Sequence, residues 1–93
     1  MIIKIDPEKA KQPVPRQVTM RQARLALLGA GLLDQVDAAI AAIPDPIHRK
    51  AAQIEWEYAQ TVDRNSPFTQ QLAAGLGITE EQKDALFTQA ATL

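Results

Sequence analysis

The placement of helix breakers constrains this chain more than any other feature. Pro7, Pro13 and Pro15 crowd its first eighteen residues. Each removes a backbone donor and turns the residue before it away from helical geometry. Residues 1–18 are therefore expected to form an extended or flexible N-terminal arm, in which Ile2, Ile3 and Ile5 are candidates for a short strand or for lying in a groove. Beyond the arm, Gly31, Pro44-Asp45-Pro46, Ser66-Pro67 and Gly77 cut residues 19–93 into five stretches with helical apolar spacing.

The five stretches carry their own start and stop signals. Thr19 is a good N-cap for MRQARLALLGA, where Met20, Ala23, Leu27 and Ala30 recur on one face that Leu25 and Leu28 widen. Gly31 is the left-handed stop, and Gly29 is expected to permit a close helix contact. In LDQVDAAIAAI, residues Leu33, Val36, Ile40 and Ile43 share a face, with Asp34 near the positive end of the helix dipole. The third helix is expected from about Pro46 or Ile47 to Asp63. Ser66 followed by Pro67 caps a fourth, whose buried row is Phe68, Leu72 and Leu76 and whose stop is Gly77. Thr79-Glu80-Glu81-Gln82 has the form of a capping box and opens a fifth helix, with Leu86, Phe87, Ala90 and Leu93 as its apolar side.

Helix three has two apolar sides. Ile47, Ala51, Ile54, Tyr58 and Val62 line up at about 100° per residue. Ala52, Trp56 and Ala59 fall nearly opposite. A helix apolar on both sides is ordinarily sandwiched. The expected fold is an all-α, five-helix compact domain over 19–93, with two αα-hairpins around a central helix three.

Composition removes several chemistries. The chain has no cysteine, so disulfides, thiolate catalysis and cysteine zinc sites are excluded. Net charge is −1, with no general attraction for nucleic acid or anionic lipid. The charge is uneven: residues 1–18 set Lys4, Lys9, Lys11 and Arg16 against Asp6 and Glu8, whereas residues 67–93 set only Lys83 against Glu80, Glu81 and Asp84. No segment reaches the ~20 apolar residues of a membrane span, and the N-terminus lacks the apolar run of a signal peptide.

No catalytic or metal-binding pattern stands out. His48 is the only histidine and lies in the first turn of a helix, where exposure is expected. Ser66 is the only serine, and its place before Pro67 is explained by capping, so a triad built on Ser66 and His48 is disfavoured. The carboxylate pairs Glu55/Glu57 and Glu80/Glu81 are spaced one or two residues apart and do not face each other. GAG at 29–31 and GLG at 75–77 do not extend into a phosphate-binding loop. Neither an enzyme nor a cofactor or metal is expected. The turn between helices one and two permits a helix-turn-helix reading, with Arg16, Arg21 and Arg24 as a basic edge. The helix that would enter DNA carries two aspartates and no basic residue, so a small DNA-binding regulator is the second reading.

The remaining candidate is a protein-binding surface. Trp56 is either buried under helices or the arm, or it is a partly exposed anchor with Arg49, Gln53 and Gln60 as a polar rim. Tryptophan and arginine are enriched at interaction hot spots.

The patterns T-M-R-Q-A-R-L-A-L at 19–27 and Q-I-E-W-E-Y at 53–58, with LAAGLGITEEQKDALFTQAATL at the end, carry a resemblance. Over about residues 17–93 the chain resembles small proteins encoded in bacteriophage and prophage genomes near tail-fibre genes. The resemblance implies a phage origin and a place in the cytoplasm of a bacterial host or on the virion. It also implies a role with tail or tail-fibre polypeptides as structural component or assembly helper. Nucleic acid and membrane are not expected partners.

Overall fold

The computed structural model describes residues 14–93. Its elements are β1 (Gln17–Thr19), α1 (Met20–Gly29), a 3₁₀ turn (Leu33–Gln35), α2 (Val36–Ala41), α3 (Pro46–Tyr58), β2 (Thr61–Asp63), α4 (Pro67–Leu76) and α5 (Glu80–Ala90). The chain is an all-α, five-helix domain with a small two-stranded antiparallel sheet. The expectations for Ile2, Ile3 and Ile5 lie outside the described residues.

Local chemistry sets the helix ends. Thr19 and Gln22 form a reciprocal capping box on α1, and Thr79 and Gln82 form the same box on α5. Each box satisfies two backbone donors that the helix leaves without partners. Ser66 caps α4 through the Thr69 amide, with Pro67 at the first helical position. Asp45 caps α3 by accepting from the amides of Ile47 at 2.8 Å and His48 at 3.3 Å. Gly31 and Gly77 take left-handed φ values of 75° and 70°. Past each of them the chain closes on the preceding turn: Leu32 N–H donates to the Leu27 carbonyl, and Ile78 N–H to that of Ala73.

The sheet joins the end of the presumed arm to the far end of α3. Gln17, Val18 and Thr19 pair with Asp63, Val62 and Thr61. The Met20 amide donates to the Gln60 carbonyl and the Arg64 amide to that of Arg16, both at 2.8 Å. Helix three therefore stops at Tyr58, short of the expected Asp63. Thr61 and Val62 are β-branched residues suited to an extended chain, and a strand partner is at hand. Val62 belongs to this sheet and not to a helical stripe.

The core gathers Met20, Leu27, Val36, Ile40, Trp56, Phe68 and Phe87 with the sheet's Val18 and Val62. Leu33, Ile43, Leu72, Leu76 and Leu86 pack around it. On α1 the face is rotated from expectation: Ala26 is buried, while Leu28 and Ala30 are exposed. Helix pairing runs between the two hairpins, α1 against α5 and α2 against α4. The close approach is at Gly75, where a Cβ would lie 3.0 Å from that of Ala39. Gly29 has only a Gln89 side-chain nitrogen within reach, at 3.8 Å, so the close contact expected there is absent.

The expected two-sided burial of α3 does not occur. Ala52 and Trp56 are inside, but Ile47, Ile54 and Tyr58 are 78%, 52% and 74% exposed. The pairing of α1 with α5 and α2 with α4 already closes the core, and α3 lies over it with one side outward.

Candidate functional site

Helical geometry sends α3's two apolar rows in opposite directions, and only the inner one meets the protein. The indole of Trp56 is 8% exposed, so it is not a surface anchor. The Arg24 guanidinium lies 3.9 Å from its ring centre, within cation–π range, and donates to the Trp56 backbone carbonyl. Arg49 is half-buried and donates to the Ile43 carbonyl at 3.0 Å, which ties the start of α3 to the end of α2. Gln53 is exposed, and Gln60 is exposed with its carbonyl accepting from the Met20 amide at the start of α1. The four residues nominated from sequence therefore do not form one patch around a tryptophan.

The outward row is the candidate surface. Ile47, Ala51, Ile54 and Tyr58 are all exposed along α3. Fully burying an isoleucine or an aromatic ring is favourable by about 1.5–3 kcal/mol, so this row is a substantial unsatisfied apolar strip. These are the residues whose helical spacing placed them in the expected core. Periodicity identifies an apolar face and carries no information about what covers it.

Two grooves run beside α3. One groove brings His48, Glu55, Ser66 and Gln71 together, and its neighbour brings Asp45, His48 and Gln71 together. Ser66 and His48 thus share a groove, but the serine hydroxyl is spent locally. It accepts from the Thr69 amide at 3.2 Å and lies 3.0 Å from the Thr69 hydroxyl. His48 Nδ1 is 3.6 Å from Asp45, whose carboxyl is held below its ordinary range by the His48 and Ile47 amides. No hydrogen bond joins His48 to Ser66 among the described residues, so the nucleophile–base contact of a triad is not formed there. No group of three or more His, Asp or Glu among the described residues is placed to hold a metal ion. The interior has an apolar cavity of about 60 Å³ beside Trp56, Leu72 and Phe87. Ligand pockets are roughly 300–1,000 Å³.

The basic edge for DNA is smaller than the sequence implies. Arg24 is committed to Trp56, which leaves Arg16 and Arg21. The presumed recognition element is the six-residue α2, which carries Asp37 and no basic side chain.

No helix among the described residues is long and apolar enough to cross a membrane. Comparison with family models, curated proteins and solved structures finds no match.

Proposed function

We propose that this chain is a non-enzymatic, phage-derived protein that works by protein–protein contact in a tail or tail-fibre assembly. It acts there as a structural component or an assembly helper. The observation that carries this reading is the outward face of α3, where Ile47, Ile54 and Tyr58 stand exposed in a row on a well-capped helix. A capped helix presents such a row with little ordering cost on binding, and helix-in-groove recognition reads this i, i+4, i+7 pattern. The resemblance of residues 17–93 to tail-module proteins supplies the class of partner. The place of action is the host cytoplasm during assembly or the virion itself.

Co-expression with a phage tail-fibre polypeptide tests the reading. Affinity capture of the wild type is expected to recover the fibre polypeptide. Ile54→Glu, which puts a charge in the middle of the row, is expected to lose it. Equal recovery by both removes the α3 face from the mechanism, and no recovery by the wild type removes the partner.

A further inference from the structure

We infer that the outward face of α3 is the two-fold interface of a homodimer, with a second copy of α3 as its occupant. The inference rests on reading that face as a protein-contact surface, and it names what covers it in the chain alone, a contact that a fibre polypeptide would displace on binding there. The four row residues are spaced four, three and four apart. This is the alternation of a two-helix seam, in which heptad positions a and d face the partner.

The seam fits itself in one orientation. In an antiparallel pair centred between Ala51 and Ile54, Ile47 meets Tyr58 of the second copy and Ala51 meets Ile54. Each layer then sets a larger side chain against a smaller or flatter one, and Ala51 lets the two backbones approach. A parallel pair would stack Ala51 on Ala51 and Tyr58 on Tyr58, and would align the two helix dipoles unfavourably.

The polar residues beside the seam select the same orientation. Lys50 and Glu57 flank it on one side, and His48 and Glu55 flank it on the other. All four are exposed, and Lys50, Glu55 and Glu57 make no ion pair among the described residues. Beside the seam, the first half of α3 thus offers the Lys50 ammonium and the His48 imidazole, and the second half two carboxylates. Reversing one helix against the other sets Lys50 against Glu57 of the second copy, twice by symmetry, and His48 against Glu55. An isologous interface requires this self-complementarity. Charges at such flanking positions set partner choice and orientation.

The helix has 13 residues, a length of about 20 Å. One such helix pair covers less than the roughly 800 Å² per partner of a standard interface. The dimer is therefore expected to dissociate in the micromolar range.

Sedimentation equilibrium of the purified chain from about 5 to 500 μM tests this concentration range. The weight-average mass is expected to rise from 10.2 kDa toward twice that value. Ile54→Glu should weaken association at least ten-fold with an unchanged helical spectrum, because that side chain is 52% exposed and takes no part in the core. Lys50→Glu alone should weaken it, and the double exchange Lys50→Glu/Glu57→Lys should restore it. A parallel pair would fail this rescue, since residue 50 would then oppose Glu55. Lys50→Glu and Glu57→Lys chains should associate with each other better than either does with itself. A monomer across the whole range, or a dimer indifferent to Ile54→Glu, overturns the inference. The sizing uses no tail polypeptide, so its failure is separable from failure of the proposed function. A monomer whose Ile54→Glu variant still loses the fibre polypeptide would leave that reading standing and remove the second copy.

Discussion

Arg24 on α1 stacks on Trp56 of α3, 3.9 Å from the ring centre, and donates to the same residue's backbone carbonyl. One guanidinium thus holds the indole inward and satisfies a carbonyl in the last turn of α3. A cation over a tryptophan face contributes about 0.5–2 kcal/mol, and a charged hydrogen bond about 1.5–3 kcal/mol. The contact explains why the single tryptophan belongs to the interior although two apolar rows compete on its helix.

Arg24→Ala is expected to destabilise the fold by about 1–3 kcal/mol. Arg24→Lys should fall between the two, because an ammonium keeps the charge but loses the planar stack. Urea titrations give the stability. Tryptophan emission should be blue-shifted and poorly quenched by iodide in the wild type and shifted to the red in Arg24→Ala. A readily quenched wild-type indole would contradict the burial of Trp56.

The two helical glycines differ in what surrounds them, and alanine should act oppositely at each. A methyl at Gly75 would sit 3.0 Å from Ala39 Cβ and 3.3 Å from its carbonyl oxygen, both tighter than ordinary contact. Forcing α2 from α4 in this way is expected to cost about 1–3 kcal/mol, less the helix-propensity gain. At Gly29 the same methyl meets only the end of a glutamine side chain at 3.8 Å. Gly29→Ala should be neutral or stabilising by up to about 1 kcal/mol. Thermal denaturation of the two variants separates the outcomes by sign.

The pattern of agreement with sequence follows from the range of each interaction. Caps and stops were legible at Thr19, Gly31, Ser66, Gly77 and Thr79 because their hydrogen bonds close within a few residues. The sheet was not, because α1, α2 and α3 separate Val18 from Val62 in the sequence. Read locally, Val62 continues the row of Ile54 and Tyr58. The candidate surface was half legible: the row on α3 could be read, but its exposure depends on α1–α5 and α2–α4 pairing elsewhere in the molecule. Lys83 escaped for a related reason. Its charge suggests a solvated side chain, whereas its stem is buried and only its tip finds polar partners.

Lys83 is 2% exposed, and its ammonium donates to Gln70 at 2.9 Å and Glu80 at 3.0 Å. Both acceptors reach solvent, so removing the lysine does not strand either of them. Its contribution should therefore lie mostly in the packing of its methylenes. Lys83→Met, which keeps the volume, is expected to change stability by less than about 1.5 kcal/mol. Lys83→Ala, which leaves a cavity, should cost about 2–4 kcal/mol. Similar losses in both variants would show that the charge matters more than the stem.

Acid should weaken the fold partly through Glu80. The Lys83 ammonium, and after it Arg64, holds this carboxyl below its ordinary 4.5. A depressed carboxylate pKa means that the unfolded chain binds the proton more readily. The stabilisation is thus complete above pH 4.5 and is lost as pH falls through the lower folded value. Glu80→Gln should be less stable than wild type near neutrality, and the two should converge in acid. Equal slopes of stability against pH below 4.5 would exclude Glu80 from the acid transition.

The sheet also predicts how the beginning of the described chain behaves. Val18 and Val62 are paired and buried, at the middle of a ladder that fastens β1 to the segment after α3. Val18→Ala is expected to cost about 2 kcal/mol, as a buried two-carbon deletion. The double variant with Val62→Ala should show a coupling of about 0.5–1 kcal/mol, because the two side chains are direct neighbours. Amide hydrogen exchange supplies an independent measure. The amides of Met20 and Arg64 donate across the ladder to Gln60 and Arg16, so both should exchange slowly in the wild type and faster in Val18→Ala. An arm that merely preceded the domain would leave the Arg64 amide unprotected and the Val18 substitution near neutral. Slow exchange at Arg64 together with a costly Val18→Ala would place the start of the domain before α1, at β1.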